Sequence, residues 1–231
     1  MNIDMVNQDV ISRDNNLKYK QKHEIKSKEK EVYLYVKRAL DIIISLIGLI
    51  LLSPVFIMIS LAIKLESKGP VFFGHTRIGK NGKTIKIYKF RSMVQNAEDL
   101  IKNFTPEQMK EYKENYKLTN DPRITKVGNF LRKTSLDELP QLVNIIKGDL
   151  SIIGPRPVVA EELKKYEENI DKFLSVTPGL TGYWAANGRS NTSYEERMKM
   201  ELYYIDNMSF MMDIKVFFKT IVSVLKKDGA L

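Results

Sequence analysis

The apolar stretch IIISLIGLILLSPVFIMISLAI, from Ile42 to Ile63, decides the fold of this chain. It carries no charge, and its length matches the roughly 20 residues that a helix needs to cross the apolar core of a bilayer. Ser53 and Pro54 interrupt it near the middle, where proline removes a backbone hydrogen bond and pushes against the preceding turn. From Asp41 to Ser53 a helix rises only about 20 Å, about two-thirds of that core. The stretch therefore predicts a membrane-associated protein with a broken helix.

Basic residues flank the apolar stretch on both sides. They are Lys18, Lys20, Lys22, Lys26, Lys28, Lys30, Lys37 and Arg38 upstream, and Lys64, Lys68, Arg77, Lys80, Lys83 and Lys86 downstream. Lys and Arg mark the cytoplasmic side of a membrane segment. A helix-break-helix that enters and leaves by the same face satisfies both flanks, and the Ser53 hydroxyl could bond a carbonyl freed by Pro54. A single kinked span is the alternative, and the residues alone leave the two open.

The overall composition fits a membrane-associated cytoplasmic protein. The chain has 231 residues and a net charge of +9, and the basic run from Lys18 to Arg38 would be attracted to anionic lipid headgroups. The same charge could bind nucleic acid, but nothing in the chain resembles a nucleic-acid reader, so we expect no nucleic-acid partner. The lack of cysteine excludes disulfides, thiolate catalysis and cysteine metal ligands.

The pattern of apolar residues, turns and breakers predicts a mainly helical α+β fold. We expect a disordered basic tail over residues 1–31, a membrane helix-break-helix over 32–66 and one compact domain over 67–231. Asn81-Gly82 predicts a β-hairpin between short strands at Val71–Phe73 and Ile85–Phe90. Helices are predicted over Ala97–Tyr116 with a restart at Thr105-Pro106, over Leu136–Lys147 and over Val159–Val176.

The C-terminal stretch is amphipathic from Phe210 onward. Bulky apolar residues alternate at helical spacing with Lys215, Lys219, Lys226 and Lys227. A basic face opposite an apolar face suits a helix that lies in the membrane interface. An ordinary helix packed on the domain core would show a similar pattern, but the membrane segment upstream favours the interfacial interpretation.

The segment LRKTSLDELPQL, from Leu131 to Leu142, carries the adjacent carboxylates Asp137 and Glu138. Pro140 indicates a helix start, where free N–H groups favour anions such as phosphate. One carboxylate could attack phosphorus while its neighbour holds Mg²⁺. Ser135 and Glu138 also fit a capping box, a purely structural use that is the commoner one for such residues.

Several basic residues lie in distinctive surroundings. They are Lys89 and Arg91 in KFRSM, Arg123 in DPRIT, Arg132, Arg156 in GPRP, and Arg189 in NGRS. Each could bind phosphate, although a single surface Arg or Lys is more often only a solvated charge. Trp184 with Tyr183 could stack on a base or simply pack in the core. His23 and His75 make no metal cluster, and we assign neither a role.

Taken in order, these segments resemble a known family. Lys37-Arg38, Ser53-Pro54, KFRSM, DPRIT, SLDELPQL, KGDLSIIGPRP and PGLTGYWAANGRS resemble the segments of bacterial sugar transferases of the small monotopic phosphoglycosyl transferase type. The resemblance covers about residues 33–229. It implies transfer of a sugar 1-phosphate from a UDP-sugar to polyprenyl phosphate, usually undecaprenyl phosphate, with release of UMP. It also implies a re-entrant membrane helix on the cytoplasmic face of a bacterial cell membrane, and interfacial helices.

The resemblance implies a role for each matching residue. Asp137 would be the nucleophile that carries the phosphosugar, and Glu138 the Mg²⁺ ligand beside it. Phosphate or nucleotide contacts would come from Lys89, Arg132, Arg156 and Arg189, the break from Ser53 and Pro54, and the headgroup anchor from Lys37 and Arg38. His75 stands where the family usually has Gln. The stretch from Gly188 to Ser209 is closer to the galactose- and glucose-phosphate enzymes than to the acetamido-sugar ones.

Two other functions fit parts of the sequence. The first is a non-catalytic membrane scaffold that recruits glycan-assembly partners through its basic surface. The second is a membrane-bound, Mg²⁺-dependent phosphohydrolase that uses Asp137 in the same way. The transferase accounts for more of the chain than either. The sequence leaves open the sugar, the polyprenol, the glycan and whether the protein forms a homo-oligomer.

Overall fold

A computed structural model describes residues 29–115, 118, 120–188 and 192–226. The predicted disordered tail lies almost entirely outside these residues. The chain divides into two compact units, Met1–Leu40 and Asp41–Leu231. The fold is mainly helical with two small two-stranded sheets, which confirms the predicted α+β class.

A sharp break in the apolar stretch separates the first two helices. Helix α1 (Glu29–Leu51) and helix α2 (Ser53–Glu66) meet at an angle of 61°. The Ser53 hydroxyl donates a hydrogen bond to the Ile50 carbonyl at 2.8 Å, the carbonyl that an N–H at position 54 would otherwise engage. Among the described residues no single helix is long and apolar enough to cross a bilayer, whereas this bent pair is when taken together. The predicted break is confirmed.

Helix α2 has one packed face and one exposed apolar face. Ile59 and Ile63 are buried in a cluster with Phe90 and Leu131. The opposite face carries exposed apolar side chains, namely Ile57, Met58, Leu61 and Leu65, the last of which is 88% exposed. A helix that is apolar on both faces but packed on only one has an unpartnered surface suited to lipid.

The predicted β-hairpin is confirmed, with a longer first strand. Strand β1 (Phe72–Ile78) pairs antiparallel with strand β2 (Thr84–Phe90), so that Phe73 lies opposite Lys89. The turn between them places Asn81 at φ 56° and Gly82 at φ 75°, left-handed values that Asn and Gly adopt most readily. The hairpin places Lys89 of β2 at the centre of the candidate site, although Lys89 is distant in sequence from the other residues there.

The rest of the domain is built from short helices and a second small sheet. In chain order these elements are α3 (Ala97–Leu100), α4 (Pro106–Asn115), α5 (Lys126–Thr134), α6 (Gln141–Lys147), β3 (Ser151–Ile153), α7 (Ala160–Leu163), α8 (Ile170–Leu174), β4 (Gly179–Thr181), α9 (Tyr183–Asn187), α10 (Tyr194–Asp206) and α11 (Phe210–Lys226). Strands β3 and β4 pair in parallel. The helical restart at Thr105-Pro106 is confirmed, because α4 begins at Pro106.

Two predicted helices are divided in the structure. The region Leu136–Lys147 contains a 3₁₀ turn at Leu136–Glu138 before α6. The predicted continuous helix Val159–Val176 is wrong, since a 3₁₀ segment at Lys164–Asn169 separates α7 from α8 and Glu167 has φ 45°. With this break, the ring centroids of Tyr166 and Phe173 lie 4.1 Å apart, and both rings are buried in the core. Burial of two aromatic rings outweighs the local preference for helix.

Helix α11 has the amphipathic shape that the sequence predicts. Val216 is buried, and Asp213 accepts a hydrogen bond from the Tyr204 hydroxyl at 2.7 Å. The other side is exposed and apolar, with Met211, Ile214, Phe218, Ile221 and Val222. The helix therefore packs on the domain by one edge and leaves an apolar surface open, as an interfacial helix requires.

The bent helix pair generates a prediction about topology. Single cysteines at Lys30 and Lys83, both exposed positions in a chain without native cysteine, should be labelled by an impermeant maleimide only from the cytoplasmic side. A cysteine at Ile50, beside the break, should react only after detergent dissolves the membrane. Labelling of Lys30→Cys and Lys83→Cys from opposite sides would establish a single span and contradict the re-entrant arrangement.

Candidate active site

The carboxylate pair lies in a tight turn between two helices. Helix α5 ends at Ser135, whose left-handed φ of 56° turns the chain into the 3₁₀ segment Leu136–Glu138. Pro140 then stands at the start of α6. Within these described residues the Ser135 side chain makes no capping hydrogen bond. The capping-box interpretation of Ser135 and Glu138 is therefore wrong, and the two carboxylates are held by the turn itself.

Lys89 lies between the two carboxylates. Its Nζ donates to Glu138 Oε1 at 2.6 Å and lies 3.6 Å from Asp137 Oδ2. These residues are far apart in sequence, and β2 brings the lysine to the turn. Two carboxylates thus share one ammonium group, and these three groups alone carry a net negative charge.

Arg132, on the last turn of α5, is the second positive group near Asp137. Its Nε donates to the Ser92 hydroxyl at 2.9 Å, and its charge acts on Asp137. Lys89 and Arg132, both predicted to contact phosphate, thus lie beside the carboxylate pair. Both side chains could meet phosphate oxygens that approach Asp137.

Asp137 is largely buried, with 7% of its surface exposed. Burial raises the pKa of Asp137, and the charge of Glu138 raises it further. The charges of Lys89 and Arg132 lower it, but the net shift is upward. Poor solvation destabilises the ionised carboxylate and makes it more nucleophilic, because fewer water molecules must be displaced before it can react. Asp137 is thus the more buried carboxylate of the pair, and the Glu138 side chain is 30% exposed.

The donor atoms suit Mg²⁺ when a phosphate is also bound. Among the described residues no group of three or more His, Asp or Glu side chains could hold a metal ion by itself. Mg²⁺ typically binds one or two carboxylates together with substrate phosphates and water. Glu138, with Asp137 adjacent to it, supplies that carboxylate set, so the residues fit this metal.

A second basic cluster surrounds Trp184 on α9. The Arg197 guanidinium carbon lies 4.8 Å from a Trp184 ring centroid and 5.2 Å from that of Tyr194. The Arg156 guanidinium lies 5.9 Å from Trp184, and the Arg156 N–H donates to Glu201 Oε1 at 3.0 Å. Sequence reasoning missed Arg197 and Glu201. No local motif marks them, although an arginine and a glutamate one helical turn apart on an amphipathic helix were available as a signal.

The structure gives other predicted basic residues structural roles. Arg91 donates to the Ser67 and Lys68 carbonyls at 2.7 and 2.8 Å, at the end of α2. Arg123 forms two hydrogen bonds to the Asp121 carboxylate at 2.6 and 2.8 Å and lies over the Phe104 and Tyr112 rings. These contacts account for both side chains without a ligand.

The remaining predicted residues lie elsewhere or outside the description. Arg189 is outside the described residues. Ser53 and Pro54 form the break, and Lys37 and Arg38 lie on α1 in the other compact unit. His75 had no predicted role. Burial lowers the pKa of His75, and the charges of Arg77, Lys89 and Arg156 lower it further, so it lies within the electrostatic reach of both basic clusters.

Comparison with known proteins identifies similar chains. Residues 32–227 match a family model described as bacterial sugar transferase. The chain is 44% identical over 199 residues to an undecaprenyl-phosphate galactose phosphotransferase of Salmonella typhimurium, covering 85% of this chain and 42% of that protein. It is also 44% identical over 197 residues to the exopolysaccharide production protein ExoY of Sinorhizobium fredii, covering 84% of this chain and 87% of that protein.

A third relative carries a different sugar in its name. The chain is 43% identical over 194 residues to a UDP-glucose:undecaprenyl-phosphate glucose-1-phosphate transferase of Escherichia coli, covering 80% of this chain and 39% of the relative. The chain thus spans less than half the length of the Salmonella and Escherichia relatives, and most of the length of the Sinorhizobium one.

The buried Glu201 predicts a pH-dependent stability. Burial raises the pKa of Glu201 from 4.5 to about 7, against the Arg156 N–H and the charges of Arg197 and Arg156, which lower it. The folded state then binds a proton more tightly than the unfolded state, so the contribution of Glu201 to stability is fully present below about pH 4.5 and is lost as the pH rises through about 7. The loss is at most about 3 kcal/mol, since each tenfold change in proton affinity is worth about 1.4 kcal/mol.

The matched variant for this prediction is Glu201→Gln, which cannot ionise. In thermal unfolding of both proteins in detergent, the Tm of the variant should increase relative to the Tm of the wild type between pH 5 and pH 8. A difference in Tm that stays constant across this range would contradict the assignment.

Proposed function

The chain belongs to the bacterial sugar transferase family, and on that basis we propose that it transfers a sugar 1-phosphate from a UDP-sugar to undecaprenyl phosphate. The products would be UMP and an undecaprenyl diphosphate sugar. Relatives are named for undecaprenyl phosphate as acceptor and for galactose or glucose transfer. We propose a UDP-galactose or UDP-glucose donor, and a product that begins a capsule, exopolysaccharide or O-antigen chain.

The observation that carries this proposal is the buried Asp137 beside Glu138, with Lys89 in contact with both. A nucleophilic carboxylate needs partial burial, a fixed orientation and nearby positive charge to approach a diphosphate. The Asp137 surroundings supply all three. The ion pair between Lys89 and Glu138 would by itself serve a structural role, but it would not explain the second, buried carboxylate of Asp137 beside it.

The proposed reaction consists of two displacements at one phosphorus atom. In the first, an Asp137 oxygen attacks the phosphorus that carries the sugar, a new carboxyl–phosphate bond forms, and UMP leaves with the electron pair of the broken diphosphate bond. In the second, a phosphate oxygen of undecaprenyl phosphate attacks the same phosphorus, and the Asp137 carboxylate is restored. Lys89 and Arg132 would offset the charge of the incoming diphosphate and hold it in line.

Glu138 is the residue that would hold Mg²⁺, with Asp137 adjacent to it. When bound, the metal supplies positive charge that stabilises phosphate oxygens during displacement. Lys89 keeps Glu138 in place through its hydrogen bond of 2.6 Å. Lys89 would therefore hold the Glu138 carboxylate in position to bind the metal, and it would neutralise part of the negative charge of the two carboxylates before the substrate binds.

The apolar surfaces support a position at the membrane. The exposed apolar faces of α2 and α11 would enter the headgroup region, and anionic lipids would attract the basic residues around them. Such a position would bring Asp137 to the depth of the acceptor's phosphate. A water-soluble donor and a lipid-bound acceptor could then use the same carboxylate in turn.

The test is UMP release by the detergent-solubilised protein with Mg²⁺, undecaprenyl phosphate and a panel of UDP-sugars. Asp137→Asn should reduce release at least about 1000-fold, because it removes the nucleophile. Glu138→Gln should reduce it about 100-fold and weaken its dependence on Mg²⁺, since metal charge stabilisation is worth several kcal/mol. Asp99→Asn, at an exposed ion pair with Lys102, is the matched control and should behave as the wild type.

Full activity of Asp137→Asn would contradict the proposed mechanism. Absence of UMP release with every UDP-sugar would contradict the proposed reaction and favour the scaffold. Release of free sugar phosphate without any lipid would instead favour the phosphohydrolase.

A further inference from the structure

One side chain closes part of the free edge of the hairpin. Among the described residues, strand β2 pairs with β1 alone, so the backbone groups on its other edge need partners from elsewhere. Asn144 of α6 supplies two of them. Its Oδ1 accepts the Tyr88 N–H at 2.9 Å, and its Nδ2 donates to the Lys86 carbonyl at 2.7 Å. These are the two bonds that one residue of a neighbouring strand would make, and we call them the Asn144 clamp.

The Asn144 side chain is held in a single orientation. It is fully buried, with 0% of its surface exposed. Its Nδ2 also donates to Asp149 Oδ2 at 3.3 Å, so both N–H groups of the amide are used, and its oxygen and nitrogen cannot exchange places. The Asn144 carbonyl accepts the N–H groups of Asp149 and Leu150 at 3.0 and 3.3 Å. A buried polar side chain with its hydrogen bonds made is rigid, so the clamp is a fixed contact.

The Asn144 clamp joins the two segments that carry the candidate active site. Lys89 directly follows Tyr88 on β2, and α6 begins shortly after Glu138. The Lys89 ammonium lies 2.6 Å from Glu138 Oε1 and 3.6 Å from Asp137 Oδ2. Strand β1 holds β2 from one edge, and the clamp holds the other edge against α6. The clamp therefore sets the distance between the strand that carries the lysine and the turn that carries the carboxylates.

Apolar packing between β2 and α6 does not set this distance by itself. Ile85 and Ile87 of β2 pack with Ile145 and Leu150 in one buried cluster. Apolar contacts are non-directional, so they tolerate a small shift of the strand, whereas a hydrogen bond weakens steeply when its angle changes. A misplacement of about 1 Å can reduce a rate about 100-fold. Asn144 thus supplies the directional contact that the packing lacks.

We propose that Asn144 is a positioning residue for sugar-phosphate transfer, because its clamp on β2 sets the Lys89 ammonium between Asp137 and Glu138. This inference rests on the proposed function and deepens it. The contacts of the Asn144 amide are with the β2 backbone and Asp149 rather than with the reacting groups. Its effect on the rate must therefore pass through Lys89, and a residue that served stability alone would show no such dependence.

Two variants of Asn144 remove different parts of the clamp. Asn144→Leu has a similar volume and makes neither bond, and it should lower kcat for UMP release about 100-fold. Asn144→Asp keeps an acceptor for the Tyr88 N–H but loses the donor to the Lys86 carbonyl, and it should lower kcat about tenfold. The KM for the UDP-sugar should change little in either variant, since the loss falls on the transition state. Asn144→Asp keeps the test available if Asn144→Leu fails to fold.

A double-mutant cycle with Lys89→Gln tests the route of the effect. Without the ammonium group there is nothing left for the clamp to position, so each Asn144 variant should lower kcat less than about twofold in the Lys89→Gln background. Phe173→Leu is the control for lost stability, because Phe173 is buried in a different core cluster. It should lower the Tm and leave kcat at temperatures well below the Tm unchanged.

A second measurement does not depend on turnover. The Lys89 side chain is 28% exposed and is paired with two carboxylates, so it should react slowly with acetic anhydride, as followed by peptide mass spectrometry. Both Asn144 variants should raise the acetylation rate of Lys89 several-fold, because an ammonium group released from carboxylates loses its proton more readily. Lys102, in an exposed ion pair, should keep its rate.

The outcomes distinguish this inference from the proposed function. Wild-type kcat and wild-type Lys89 acetylation in both Asn144 variants of an active transferase would overturn the positioning role and leave the function standing. Equal losses of kcat with and without Lys89 would show that Asn144 serves stability alone and would also overturn it. Faster acetylation of Lys89 in the variants, without transferase activity in the wild type, would support the Asn144 clamp and overturn the function.

Discussion

The arrangement of this protein depends on one missing hydrogen-bond donor, the backbone nitrogen of Pro54. The Ser53 hydroxyl takes the freed Ile50 carbonyl, and α2 leaves the line of α1 at 61°. Two charged side chains then fix the end of α2. Arg91 binds the last carbonyls beyond α2, and the Glu66 carboxylate accepts the N–H groups of Lys126 and Val127 at the start of α5, a favourable place for an anion. Helix α5 ends at Ser135, just before the carboxylate pair. The contacts between α2 and α5 therefore connect the apolar helix to the candidate site.

Electrostatics distinguishes two regions of the domain. Around Asp137 and Glu138, the charges of Lys89 and Arg132 face the two carboxylates. Around Trp184, three guanidinium groups, those of Arg77, Arg156 and Arg197, exceed the acidic groups Glu162 and Glu201. In the proposed reaction a diphosphate would add negative charge beside Asp137, and Lys89, Arg132 and a bound Mg²⁺ would have to offset it.

The sequence predicts the features that short patterns encode, and it fails where distant residues meet. Pro54 predicts the break and Asn81-Gly82 predicts the hairpin, and both are confirmed. Arg197 and Glu201 escape prediction, because their partners Trp184 and Arg156 lie on other elements and only packing brings them together. The break at Glu167 escapes for a similar reason, because the packing of the Tyr166 ring against Phe173 depends on the core. Ser135 and Glu138 match a capping motif, yet the Glu138 carboxylate accepts a hydrogen bond from Lys89 of the hairpin.

The central claim is that Asp137 carries the sugar phosphate, and covalent trapping tests it most directly. The full-length protein would be incubated with Mg²⁺ and the UDP-sugar that supports turnover, without undecaprenyl phosphate, and then studied by intact mass and peptide mapping. The account predicts a sugar-phosphate adduct on the peptide that contains Asp137, with one UMP released for each adduct, and loss of the adduct when undecaprenyl phosphate is added. UMP release that occurs only with lipid and leaves no adduct, or an adduct on another residue, would contradict it.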